Sequence, residues 1–135
     1  MFPLLSIFSD WSLLVLRLVM GVIVVVHGWP KIKNLKTNAG NFSAMGFKPG
    51  MLWGTIAALL EFFGGLALIL GFYVQLVAVL FVVEFVAIVI WKIKRGQPFV
   101  GGLEFDLALL AVALSLVTLG GGAFSADYYL FLGGL

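Results

Sequence analysis

The sequence contains no cysteine and only one histidine, and it is poor in charge. Without cysteine the chain forms no disulfide, supplies no thiolate nucleophile and holds no cysteine-ligated cluster. A single histidine excludes a haem held between two of the chain's own histidines. Charged residues make up 10% of the 135 positions and hydrophobic ones 63%, where an ordinary soluble domain has about 25% and about 45–50%. A soluble domain of this length has too little interior to hide so much apolar surface. Lipid is therefore the expected solvent, in keeping with a mean hydropathy of +1.20. The net charge of +2 is too small to suggest a nucleic-acid partner, and the basic residues gather in two loops rather than along one face. A Ser-His-Asp constellation, a phosphate-binding loop, a dinucleotide fingerprint and a zinc motif are absent as well.

What is present is a series of long apolar runs. About 20 apolar residues span a bilayer, and four runs qualify, at about 11–29, 51–70, 73–91 and 103–119. Their ends carry aromatic residues or Gly and Pro breaks such as Pro30, Gly71 and Gly120-Gly121-Gly122. The pattern predicts an all-α membrane protein, one domain over residues 1–135, folded as a four-helix transmembrane bundle of up-down topology. The opening MFPLLSIFSDWS has no basic residue before its apolar run and no small-residue cleavage site, so the first run is expected to stay as a membrane helix. Residues 39–47 are expected to form either a plain loop or a short interfacial helix with Phe42, Met45 and Phe47 dipping into lipid. The apolar tail 123–135 is too short to span. It is expected to lie at the membrane surface or to pack on the bundle.

The basic residues predict the orientation. Lys31, Lys33, Lys36 and Lys48 fall between the first two spans, and Lys92, Lys94 and Arg95 follow the third. The N-terminal segment, the second turn and the tail have none. The positive-inside rule then places both basic loops in the cytoplasm and both termini on the outer side, in a multi-pass protein of the cytoplasmic (inner) membrane.

Three charges fall inside the apolar runs. Arg17 lies about 9 Å from the outer end of its helix at 1.5 Å per residue, while Glu61 and Glu84 fall near the midplane. Each would cost about 2.5–3.5 kcal/mol facing lipid, so all three are expected to point inward and find partners. Helical spacing gives them inward stripes: Arg17, Gly21, Val24 and Gly28 on the first helix, and Gly54, Ala57, Ala58, Glu61, Gly64, Gly65 and Leu68 on the second. The expected pairing is Arg17 with Glu61 or Glu84, which leaves more acids than one arginine can neutralise. Two readings stay open: ion pairs that only fix helix register, or a ligand or proton site within the bundle. His27, Glu104 and Asp106 form a second polar group at the basic end. The helix dipole explains both acids there. Glu104 and Asp106 project about 200° apart, so no preformed metal site is expected.

These residues resemble the DoxX family. Arg17-Leu-Val-Met-Gly21 with His27-Gly28-Trp-Pro-Lys31 is similar to its first-helix signature. Glu61-Phe-Phe-Gly64-Gly65 with Leu70-Gly71 is similar to its second-helix motif. Glu104-Phe-Asp106-Leu-Ala-Leu-Leu resembles its fourth helix, and Gly120-Gly-Gly122-Ala-Phe-Ser125-Ala-Asp127 its ending. The resemblance covers nearly the whole chain in order and spacing. It implies a small four-helix inner-membrane subunit of a respiratory or redox complex, with quinone as the implied cofactor and no cofactor intrinsic to the chain. Some relatives belong to a thiosulfate:quinone oxidoreductase, but a chain without cysteine cannot carry out thiol redox, and no catalytic residue is expected in it. The expected polar centre is Arg17, Glu61, Glu84, His27 and Glu104. The expected partners are the lipid bilayer and other membrane subunits, with a homo-oligomer also compatible. The alternatives are an assembly subunit with no ligand and, less favoured, a small transporter or proton channel, for which the third helix offers only Gln75 and Glu84 on opposite faces.

Overall fold

Backbone polar groups have no water to bond in a bilayer, so an apolar chain of this kind satisfies them internally, as helix. The computed structural model, which describes residues 3–132, follows that rule. Its helices are α1 (Ser9–Lys33), entered through a 3₁₀ turn at Pro3–Phe8, α2 (Leu35–Ala44), α3 (Gly50–Leu70), α4 (Val74–Lys94) and α5 (Glu104–Leu119). Four segments are long and apolar enough to cross a membrane: Leu4–Lys33, Gly50–Leu70, Val74–Lys94 and Phe99–Leu119. Their outward faces are apolar, with Val15, Val22, Leu76, Val83 and Leu114 all exposed. A surface of that kind marks contact with lipid.

The spans run up and down. α3 ends in a left-handed Gly71 (φ +76), whose N–H donates to Leu68 O while Phe72 N–H reaches back to Ala67 O at 2.8 Å. That arrangement closes a helix C-terminus and turns the chain into α4. The bundle core is Met20, Val24, Leu68, Val74, Ala78, Phe81, Ala113 and Leu116. α1 and α3 approach closely because glycines face each other. A Cβ on Gly65 would stand 2.8 Å from Gly21 O, and one on Gly28 would stand 2.7 Å from Phe62 N. Small residues serve this purpose at helix contacts in membranes.

Both described ends of the chain lie at the Gly71 end of the bundle. Asp10 accepts a hydrogen bond from Ala123 N there, and Asp127 N–H donates to Gly71 O. The tail thus packs on the bundle, as one of the two expectations had it; residues 133–135 lie outside the described part. α2 and the link between α4 and α5 lie at the other, lysine-rich end.

Three expectations need correction. α1 does not stop at residue 29 but continues through Pro30 to Lys33. A proline forbids its own N–H bond and crowds the preceding turn, yet residues after it can remain helical. α4 likewise continues past 91 to Lys94. Between the first two spans the chain is helical from Leu35 rather than from 39, and this helix docks on α3 instead of lying in lipid. Asn38, 6% exposed, donates from Nδ2 to Gly54 O at 2.8 Å.

Candidate functional site

Arg17 is wholly buried, but it does not meet Glu61 or Glu84. Its Nη1 donates to Leu68 O at 3.1 Å and, more weakly, to Ile69 O at 3.4 Å, and its Nη2 donates to Phe124 O at 2.8 Å. The guanidinium therefore caps the last turn of α3 and ties the tail to it. Asp127 is the acid that acts on it electrostatically. The expected Arg17–Glu pair is wrong for a geometric reason: α1 and α3 run antiparallel, so Arg17, near the start of α1, lies beside the end of α3. The carbonyls at a helix C-terminus carry the negative end of the helix dipole and keep lone pairs to spare, which makes them natural partners for a cation. Asp127 completes this end of the bundle. Its carboxylate accepts from Tyr73 N at 2.6 Å and Val74 N at 2.8 Å, capping α4 from 53 residues away and holding Tyr73 at φ +48.

The buried acids find their cations at the lysine-rich end. Lys31 Nζ donates to Glu61 Oε1 at 2.8 Å, and Lys92 pairs with Asp106 while also donating to Gly102 O at 3.1 Å. Both lysines reach inward because α1 and α4 run on beyond their expected ends. Lys31 then lies one turn after Gly28, on the stripe that touches Glu61. Glu61 itself lies in a single turn of π-helix, Leu60–Gly64, inside α3. Such insertions in α-helices recur at functional sites.

Glu61 and Glu84 border a cavity of about 630 Å³. Its walls are mainly apolar and aromatic, including Val24, Leu60, Phe85, Ile88 and Leu109. Phe42, Met45 and Phe47, which one of the two expectations placed in lipid, line it at the α2 side. The segment is latched to α4, since Met45 O accepts from Trp91 Nε1 at 2.8 Å and from Arg95 Nη2 at 3.4 Å. Within this cavity Glu61 is 6% exposed. Its Oε2 and both carboxyl oxygens of Glu84 are buried and have no hydrogen-bond partner among the described residues. Glu61 and Lys31 are the charged groups that act on Glu84.

The structure thus brings together three of the five expected site residues, Glu61, Glu84 and His27. His27 lines the cavity, its Nδ1 bonded to Ile23 O at 2.8 Å and its ring stacked on Phe105 at 5.9 Å. Arg17 lies toward the opposite end, and Glu104 is exposed, its Oε1 accepting Gly101 N–H ahead of α5. Lys31, Lys92 and the α2 aromatics are additions. The usable signal for Lys31 was its place four residues after His27 and three after Gly28, in helical register with the glycine stripe. Nothing in the local sequence marks Lys92.

Chemically, the arrangement offers an apolar chamber with one polar wall, opening toward the lysine-rich end of the bundle. It has room for a flat ring, acceptor atoms that lack partners and a lysine that offsets one negative charge.

A model of the DoxX family matches residues 12–93. A Bacillus subtilis (strain 168) protein, "Putative oxidoreductase CatD", is 30% identical over 120 residues, covering 89% of this chain and 87% of its own length. The "Inner membrane protein YqjF" of Escherichia coli (strain K12) is 32% identical over 122 residues, covering 88% of this chain and 92% of its own length. No solved structure matches the chain.

Proposed function

This chain belongs to the DoxX family and is a multi-pass membrane protein, and from that premise we propose that it is the membrane subunit of a quinone-linked redox complex, binding a ring-bearing apolar molecule at the Lys31–Glu61–Glu84 wall. One observation carries this reading: a cavity of about 630 Å³ holds buried carboxyl oxygens with no partner among the described residues outside the carboxyl pair itself. Small-molecule sites are typically apolar chambers of about 300–1,000 Å³ with a few convergent polar groups. Ionisable groups within a membrane are costly enough to suggest a role. The lining supports a quinone-type head group: Phe85, Trp91 and Phe105 offer ring surfaces, and Lys31, Glu61 and Glu84 would hold the ring's oxygens. Such a group, when bound, supplies the two-electron, two-proton chemistry for which the chain itself has no redox group. The protein's share is to orient the ring, exclude water and hold Glu61 in place through Lys31. Electrons would be exchanged with a partner subunit. The name of the Bacillus relative, "Putative oxidoreductase CatD", supports the redox side, and that of the Escherichia relative the inner membrane. The positive-inside rule favours a cytoplasmic lysine-rich end.

The test is native mass spectrometry of the full chain purified from its own membrane, compared with the double variant Lys31→Met, Glu61→Leu. Replacing a whole buried ion pair by apolar residues is often neutral for folding. Wild type is expected to carry partner chains and a small apolar molecule, and the variant to keep the partners and lose the molecule. Partner chains on a wild type without any small molecule would leave an assembly subunit in place of a binding one.

A further inference from the structure

Hydrogen-bond accounting in the cavity narrows what it can hold. Glu61 and Glu84 present four carboxyl oxygens. Lys31 satisfies one, Glu61 Oε1, and the remaining three have no partner among the described residues outside the carboxyl pair itself. A single proton shared between the two carboxyls would occupy two of those three and leave one acceptor open; without that proton all three are open. His27 adds another acceptor in its neutral form. Its Nδ1 faces the Ile23 carbonyl, which accepts and cannot donate, so the ring proton is on Nδ1 and the lone pair is on Nε2. Of the donors nearby, Trp91 Nε1 is committed to Met45 O. Lys31, bonded to Glu61, and Lys92, bonded to Asp106 and Gly102 O, keep spare N–H groups on side chains that are 30% and 28% exposed, where solvent at the lysine-rich end satisfies them. Asn41 and Trp53 also border the cavity, and both are exposed, as is His27, so the buried groups are the two carboxyls. Among the described residues, the cavity-lining atoms that are both buried and without a partner outside the carboxyl pair are thus acceptors, the oxygens of Glu61 and Glu84.

A buried acceptor without a partner is costly, and the missing complement is a ligand that donates. We infer that this wall selects a hydroxyl-bearing aromatic ring, a phenol or the hydroquinone form of a quinone head group, over its oxidised or O-alkylated counterpart, whose oxygens only accept. This rests on the ring-binding reading above and specifies which form of the ring the site holds. An organic cation would also donate, but Lys31 already offsets one charge on the wall. A second cation in a chamber of mainly apolar surface would lack the solvation it needs.

The probes are para-hexylphenol, its methyl ether and para-hexylbenzylammonium, measured by equilibrium dialysis against nanodiscs holding the full chain and against empty ones. The phenol and the ether share a shape and differ in the one donor. The ether partitions better into lipid, so the background runs against the expectation. The phenol is expected to bind wild type about tenfold more tightly than the ether, the usual effect of one hydrogen bond to a buried acceptor. Glu84→Leu should cut that preference to below about threefold while keeping the ether's own affinity. Equal binding of phenol and ether overturns the donor preference and leaves ring binding standing. A phenol preference unchanged in both Glu84→Leu and Glu61→Leu also overturns it, because the hydroxyl would then be received elsewhere. Tighter binding of the ammonium probe overturns it in favour of a cation site. Binding of neither ring removes this inference together with the ring-binding reading. The wild-type comparison decides the matter even if a variant does not fold.

Discussion

Arg17→Leu separates the geometry seen here from the pairing that the sequence suggests. The substitution keeps the apolar bulk of the side chain and removes the donors to Leu68 O and Phe124 O, plus the longer contact to Ile69 O. Hydrogen bonds from a charged donor contribute about 1.5–3 kcal/mol each. Two good ones give about 3–6 kcal/mol, reduced because a leucine needs no desolvation of a guanidinium, so a net loss of about 3–5 kcal/mol is expected. Set against a total stability of about 5–15 kcal/mol, this corresponds to a fall on the order of 10 °C in melting temperature. Thermal unfolding in detergent measures it, and protease access at the tail should rise in parallel, because Phe124 is released. The decisive arm is the double variant with Glu61→Leu. Arg17 has no contact with Glu61, so the two losses should add to within about 0.5 kcal/mol. A variant that melts within about a degree of wild type, or a Glu61→Leu change that rescues Arg17→Leu, refutes the capping role and restores an Arg17–Glu61 pair.

Three further outcomes are expected. Cysteine placed at exposed Ser6 or Gly40 of this cysteine-free chain should be labelled by an impermeant maleimide in intact cells at position 6 and not at 40; the reverse pattern would invert the membrane orientation. Gly65→Val should abolish accumulation of folded protein, since its Cβ would stand 2.6 Å from a Val25 methyl and 2.8 Å from Gly21 O, whereas Gly40→Ala, with nothing within 4 Å, should be neutral or slightly stabilising, both read by fluorescence-detected size exclusion. Asp127→Ala should lose about 1–2 kcal/mol, the usual effect of removing a helix cap, with faster hydrogen exchange at the amides of Tyr73 and Val74; unchanged exchange would show that the carboxylate does not cap α4.

Much of the fold was legible because lipid imposes a length on every span, and four apolar runs of that length leave few alternatives. The glycine stripes were legible as well. Gly21, Gly28 and Gly65 recur at helical spacing, and each lies where an added Cβ would strike the opposing helix. The α2 helix was half legible. Its aromatics signalled an amphipathic face, but an apolar face next to a membrane can turn to lipid or to protein, and composition does not distinguish the two. Asn38 decided it, because a buried amide needs a backbone partner and Gly54 O lies where α2 must dock to supply one.

The partners of the charges were legible least, and the reason is physical. Sequence gives the depth of a charge along its helix, and depth alone makes Arg17, Glu61 and Glu84 look like one problem with one solution. A buried cation has two kinds of acceptor, carboxylates and the free carbonyls of a helix end, and only the antiparallel placement of α1 against α3 brings the second kind to Arg17. Lysines, in turn, need not stay where their sequence position puts them. A long flexible stem lets an ammonium at a helix end reach several ångströms toward a buried acid, and the extra turn or so of helix that carries Lys31 and Lys92 directs that reach inward. Once each acid but one has its own lysine or backbone donor, Glu84 is left facing Glu61 and an apolar chamber. That remainder is why the cavity, and not Arg17, is where a ligand is to be sought.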